Sequence, residues 1–185
     1  MVEIVKPALE HLPSYKAALE RGWSPDNVRL EVAIREELAA IEQDPLAFLA
    51  SLDDPEARGR PITLPDGTRV PRLPGFRRWI WDGEAAGSIG FRWQKGTAEL
   101  PTHVLGHIGY AVVPWKQRRD YATRALRLML DEARAVGLAH VDLTADPGNP
   151  ASHKVILANG GRLVGRFFKE AAYGGAESLR FRIEL

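Results

Sequence analysis

The sequence predicts an α/β fold: a single mixed, mostly antiparallel central sheet of about seven strands flanked by helices. Two observations predict it. Short β-prone runs with alternating apolar residues are interleaved with stretches whose apolar residues recur at about 3.6, so strands and helices follow one another along the chain. The chain has 185 residues, 45% hydrophobic and 26% charged, which suits one core of ordinary size and excludes a repeat array, a fibre or a disordered tail.

Val2 and Ile4 read as a short first strand ended by Pro7, and LEHLPSYKAALERG continues as a helix to Gly22. Ser24-Pro25-Asp26 is a turn able to cap a second helix, whose stripe of Val28, Val32, Ile34, Leu38 and Ile41 runs until Pro45 stops it. From 53 to 75, five prolines and three glycines predict a long loop with a small hairpin at Asp66-Gly67. FRRWIWDGEAAGSIGFRW reads as an antiparallel hairpin, because aromatic and β-branched residues alternate around a glycine-containing connection. LGHIGYAVVP is a further strand, closed by Pro114. Ala122, Leu126, Met129, Leu130 and Ala133 then share one face of a helix that Gly137 ends. HVDLTA follows as a strand, Asn149-Pro150 opens the last helix, Asn159-Gly160-Gly161 closes it, and LVGRFFK and SLRFRIE are the final strands.

There is no cysteine, which excludes disulfides, thiolate nucleophiles and cysteine metal sites; no metal is expected. No apolar run approaches the roughly 20 residues that span a bilayer, and the N-terminus lacks the order of a signal peptide, so the expectation is a cytoplasmic protein without a membrane partner. The net charge of +1 offers no general attraction to nucleic acid. Its distribution is uneven: residues 1–60 carry 7 basic and 12 acidic side chains, the rest 18 and 12. The first part suits cations, the second anions.

Residues 112–123, VVPWKQRRDYAT, lead from a strand into a helix whose first backbone N–H groups lack intrahelical acceptors. Such an end attracts phosphate, and Lys116, Arg118 and Arg119 add cationic donors. From the residues alone, a solvated basic helix start and a phosphate-holding loop both stand. The run Gln117-Arg118-Arg119-Asp120-Tyr121-Ala122 resembles the coenzyme loop of the GNAT superfamily of acyl-coenzyme A dependent N-acetyltransferases, in which Gln or Arg, two variable residues, Gly, one variable residue, and Gly or Ala follow in order. GHIGYAVVP is similar to that family's strand beside the acyl thioester. Asn149-Pro150-Ala151-Ser152, leading to Asn159-Gly160-Gly161, resembles its helix after the next strand.

The resemblance implies one N-acetyltransferase domain over residues 1–185, with the strand and helices of 1–52 on the acceptor side, a loop over 53–75 and a coenzyme-binding core over 76–185. It implies acetyl-CoA as cosubstrate. The backbone of Val112 and Val113 would pair with the pantetheine arm, Gln117, Arg118, Arg119, Asp120, Tyr121, Ala122 and Thr123 would cradle the pyrophosphate, and Asn149 and Ser152 would face the pantetheine from the other side. Asp120 departs from the pattern's glycine and sets a carboxylate near phosphate oxygens. Its side chain is expected to turn toward Arg118, Arg119 or Arg124, and coenzyme affinity to be weakened rather than lost.

Acyl transfer to an amine needs a neutral amine, an aligned carbonyl, a donor for the developing oxyanion and a proton for the leaving thiolate. The donor is expected to be a backbone N–H near Val112 or Val113. The tyrosine that the family often uses as acid falls, seven residues after Asn149, on Ile156, so no acid is assigned. His107, on the strand beside the acyl group and with an ordinary pKa near ~6.5, is the catalytic candidate as general base, against a structural histidine on a sheet face. Glu99 is the second candidate. Trp79 and Trp81 read as core, Trp23 as core or acceptor pocket. Glu31, Glu36 and Glu37 would draw in a cationic amine or form a solvated face.

The function expected is therefore transfer of acetyl from acetyl-CoA to a primary amine of a small molecule, peptide or protein, with room for a homodimer. The alternative is a non-catalytic acyl-coenzyme A binding or sensing module, motivated by Ile156 and Asp120. A nucleic-acid domain using residues 116–127 is disfavoured by the charge balance.

Overall fold

The computed structural model describes residues 2–185. Local chemistry places its helix boundaries. Asp26 Oδ1 accepts from the Val28 and Arg29 N–H groups at 2.7 and 2.9 Å, so the predicted capping turn forms, and α2 (Leu30–Gln43) begins just beyond it, after β1 (Glu3–Val5) and α1 (Leu12–Glu20). Pro45 stops α2 and also opens α3 (Pro45–Ser51), which Asp44 caps by accepting from Ala47 N–H at 3.0 Å. The predicted loop is more ordered than its prolines suggest. It holds β2 (Asp53–Asp54) and the hairpin of β3 (Ile62–Thr63) and β4 (Arg69–Val70), turned at Gly67 with φ 87°.

The remaining elements are β5 (Gly75–Trp81), β6 (Ala85–Arg92), β7 (Ile108–Val112), α4 (Tyr121–Val136), β8 (His140–Ala145), α5 (Pro150–Ala158), β9 (Arg162–Phe168) and β10 (Glu177–Glu184). They confirm an α/β fold with flanking helices and correct its central expectation, the single sheet. The strands form three sheets: β1-β5-β6-β7 with β2 on β5, β8-β10-β9, and the small β3-β4 pair. The physical reason lies between β7 and β8. A bend at His107 sends its N–H to the Asp142 carbonyl at 2.7 Å while its C=O accepts from Arg92 N–H at 2.9 Å, so the chain touches both sheets at one residue. The imidazole then fills a second ladder position, Nδ1 accepting from Asp142 N–H at 2.9 Å. Beyond this pin the strands part.

Two clusters cover the two faces of the first sheet. On one, which we call the back, Ala125, Leu126, Met129, Leu130 and Ala133 of α4 pack on Ile89, Phe91 and Ile108, the predicted stripe with buried Ala125 in place of half-buried Ala122. On the front, Leu12, Tyr15 and Leu19 of α1 join Ile41, Phe48, Trp79 and Val113, with Tyr15 stacked on Trp79 at 4.2 Å. Among the described residues no helix is long and apolar enough to cross a membrane.

Candidate active site

The register of β6 and β7 decides which backbone groups face the gap. Val113 N–H bonds the Ala86 carbonyl at 3.0 Å, and Arg92 N–H bonds the His107 carbonyl, so that carbonyl and the polar groups of residues 109 and 111 turn toward β6, as does Val113 N–H. Tyr110 and Val112 therefore turn theirs toward the gap. Two side chains meet this edge: Asn27 Nδ2 donates to the Tyr110 carbonyl at 3.0 Å, and Gln117 Nε2 donates to the Val112 carbonyl at 3.3 Å. Of the two valines expected to pair with a pantetheine arm, Val112 offers its N–H to the gap, whereas Val113 is wholly buried and bonded to Ala86.

After Pro114 the chain makes a short 3-10 turn over Pro114–Lys116 and enters α4 through a strained loop: Arg118 and Asp120 both adopt the left-handed region, at φ 60° and 63°. Asp120 stands at the N-terminus of α4 without capping it. Its carboxylate turns outward instead, 3.7 Å from Arg124 Nε. The N–H groups of Tyr121, Ala122 and Thr123 thus open the helix with its positive dipole end uncovered. Arg118 and Arg119 are exposed beside them. Lys116 is not: it is buried, donating to Asp82 at 2.5 Å and lying 2.8 Å from Glu84, while Tyr121 Oη donates to Asp82 at 2.6 Å. Lys116 and Tyr121 are anchors that tie the loop to the β5–β6 turn, so the cation count at the loop falls from three to two.

Across the gap, Asn149 caps α5 by accepting from Ser152 N–H at 3.1 Å, and Asn159 Nδ2 donates to the Thr123 carbonyl at 3.1 Å, joining α5 to the first turn of α4. Ser152 Oγ lies 2.8 Å from Tyr110 Oη, a hydroxyl pair that bridges β7 and α5. Burial holds the Tyr110 phenol above its ordinary pKa, against the lowering effect of Ser152, so it is a proton carrier at neutral pH. The sequence reading passed over Tyr110; its signal was the two-residue alternation that puts it on the helix-covered face with Val112.

His107 is wholly buried, its Nδ1 occupied and its Nε2 without a partner, and burial pushes its pKa down to about 4 against the weaker raising effect of Asp142. These surroundings describe the structural histidine. Glu99 is exposed in the loop before β7. Trp23 is core, edge-on to Tyr15 at 5.8 Å. Two of the three α2 carboxylates expected to draw in an amine are spent on the fold itself, Glu36 on Arg29 at 2.6 Å and Glu37 on Arg77 at 2.5 Å and on the Tyr15 hydroxyl at 2.6 Å, whereas Glu31 is exposed and, among the described residues, enters no ion pair.

This arrangement can hold a long ligand ending in pyrophosphate. A helix start and two exposed guanidinium groups meet the anion, a strand edge with inward N–H groups meets an amide-bearing arm, and hydroxyls lie where the gap narrows. Coenzyme A has those parts.

The comparisons agree. Residues 42–162 match the family described as acetyltransferase (GNAT) domain, and the chain belongs to that family. It is a transferase domain that uses acetyl-CoA. Among solved structures, RimJ of Mycobacterium smegmatis in complex with a coenzyme A disulfide is 20% identical, covers 99% of this chain and 81% of its own, and superposes with a TM-score of 0.64. RimL, an alpha-N-protein acetyltransferase of ribosomal L7/L12, in complex with coenzyme A, is 13% identical over 100% and 94%, with a TM-score of 0.62. The microcin C7 self-immunity acetyltransferase MccE, in complex with acetyl-CoA and AMP, is 14% identical over 100% and 92%, with a TM-score of 0.59. No curated protein sequence matches significantly.

Proposed function

We propose that the chain acts as one domain, in the cytoplasm, moving the acetyl group of acetyl-CoA to a primary amine of a small molecule, peptide or protein by direct attack in a ternary complex. The observation that carries this reading is the gap itself: the open edge of β7, at Tyr110 and Val112, runs straight to the uncapped start of α4. When bound, acetyl-CoA supplies the acetyl thioester. Arg118, Arg119 and the N–H groups of 121–123 hold its pyrophosphate, and Asn149 and Ser152 line the opposite wall.

Tyr110 and Val112 direct N–H groups into the gap, where they stabilise negative charge developing on the thioester oxygen. Tyr110 Oη, steadied by Ser152, holds the proton for the leaving sulfur, the part that Ile156 cannot play. His107 is left as the pin between sheets. The amine's own proton passes to water, which the chemistry permits.

Isothermal titration calorimetry with acetyl-CoA, with adenosine 3′,5′-bisphosphate as fragment control, tests the site. Saturable binding, weakened in both Arg118→Ala and Arg119→Ala, is expected; no binding removes the proposal. With an acceptor in hand, Tyr110→Phe should lower kcat by about a hundredfold, a usual share for an acid, and leave the acetyl-CoA affinity near the parent value. An unchanged kcat sinks the role of Tyr110.

A further inference from the structure

Arg92 ends β6 on the front face, since Ile89 and Phe91 of the same strand lie on the back. Glycines surround it. Gly75 is its cross-strand partner on β5, and Gly90, two residues back on the same face, is paired with Gly109 of β7. A Cβ built on Gly109 would touch Arg92 Nη2 at 3.4 Å. The sheet is thus bare around one guanidinium, which lies over the strand that carries Tyr110.

The Arg92 side chain is exposed, yet desolvation by the surrounding protein pulls its pKa below the ordinary arginine value, countered by Tyr173 and Asp26. On the same stretch of β7, Asn27 of the α1–α2 turn donates to the Tyr110 carbonyl at 3.0 Å. Tyr173 is fixed by its hydroxyl, which donates to the His103 carbonyl at 2.9 Å.

Neighbouring arginines are committed to the fold: Arg77 to Glu37, Arg78 to Glu132, and Arg182 to Asp142 through two bonds of 2.7 and 2.9 Å. Among the described residues Arg92 takes part in no such pair. On α2, Glu36 and Glu37 are likewise committed, to Arg29 and Arg77, which leaves Arg92 as a front-face arginine with no carboxylate partner.

We propose that Arg92 selects the acceptor by binding a carboxylate that the acceptor carries a few bonds from its amine. The ligand is an acidic amine, a free amino acid or the acidic start of a peptide, and a guanidinium receives its carboxylate through two parallel N–H bonds. This rests on the acetyltransferase reading above.

The test is calorimetry on the full-length protein saturated with coenzyme A. The probes are glutamate and glutamine as free amino acids, and peptides beginning Gly-Glu, Gly-Gln or Gly-Lys. The acidic member of one series should bind at least about tenfold tighter than its neutral counterpart, and the series that responds tells amino acid from peptide. Arg92→Gln should erase the preference and Arg92→Lys keep part of it, with coenzyme A affinity and thermal midpoint unchanged in both. Equal binding of acidic and neutral probes, or a preference that survives Arg92→Gln, overturns the assignment. Acetyl transfer on the same probes separates the two proposals. Arg92-dependent binding without transfer leaves this site standing and sinks the transferase reading, whereas transfer indifferent to acceptor charge does the reverse.

Discussion

Asp120 carries two costs in one residue. At φ 63° it occupies a region that disfavours a side chain by about 1 kcal/mol or more, although Asp tolerates it better than most residues. Its carboxylate also adds negative charge at the start of α4, where the dipole favours an anionic ligand. The compensating contact with Arg124 is exposed at both ends and contributes little. Asp120→Gly should therefore tighten coenzyme A binding about fivefold, the equivalent of about 1 kcal/mol; weaker binding in the titration would show that the carboxylate orders the loop. His107 makes a second residue-scale prediction. Folded, it titrates at about 4; unfolded, near ~6.5. The unfolded chain binds the extra proton between those values, so this contribution to stability is present above pH ~6.5 and is lost as pH falls to about 4, worth about 3 kcal/mol. Urea denaturation across that range, compared with His107→Gln, isolates it; parallel curves would contradict the buried neutral imidazole.

Among the elements, the turn into α4 shows how far a motif reaches. The pattern from Gln117 to Ala122 located the loop, since glycine-like backbone and helix punctuation are properties of neighbouring residues. It did not distinguish Lys116 from Arg118. That distinction depends on Asp82 and Glu84, brought under the loop by the β5–β6 hairpin. Both ends of the Lys116–Asp82 pair are largely buried, and removing one partner of such a pair costs about 3–5 kcal/mol because the other charge is stranded. Lys116→Met should lower stability by that order and weaken coenzyme A binding as the loop loosens, both read from denaturation and titration. A variant with parent stability would mean that water replaces the lysine.

The whole molecule turns on one seam. Gly106 and His107 bring β7 against β8, and a Cβ at Gly106 would lie 3.0 Å from the Asp142 carbonyl oxygen and 3.3 Å from Leu143 Cα, both backbone atoms with little room to yield. Gly106→Ala should push the sheets apart where they are pinned, costing about 1–3 kcal/mol. Hydrogen exchange at Asp142 N–H should rise with it, since that bond to His107 depends on the close approach. Protection equal to the parent would show that the seam adapts.

By itself the sequence determined the order and kind of nearly all the elements, the turn into α4 and the family, because periodicity, capping and the loop pattern are written in residues a few positions apart. Its expectation of one continuous sheet failed between β7 and β8, since two strands separated by a helix carry no local mark of whether they bond or part. Only the tertiary structure split the sheet, sank Lys116 and His107, neutralised Glu36 and Glu37, and left Arg92 uncommitted among glycines from three strands. The physical reason is the same each time: whether a charged or hydrogen-bonding group is available to a ligand is decided by which distant residue reaches it first.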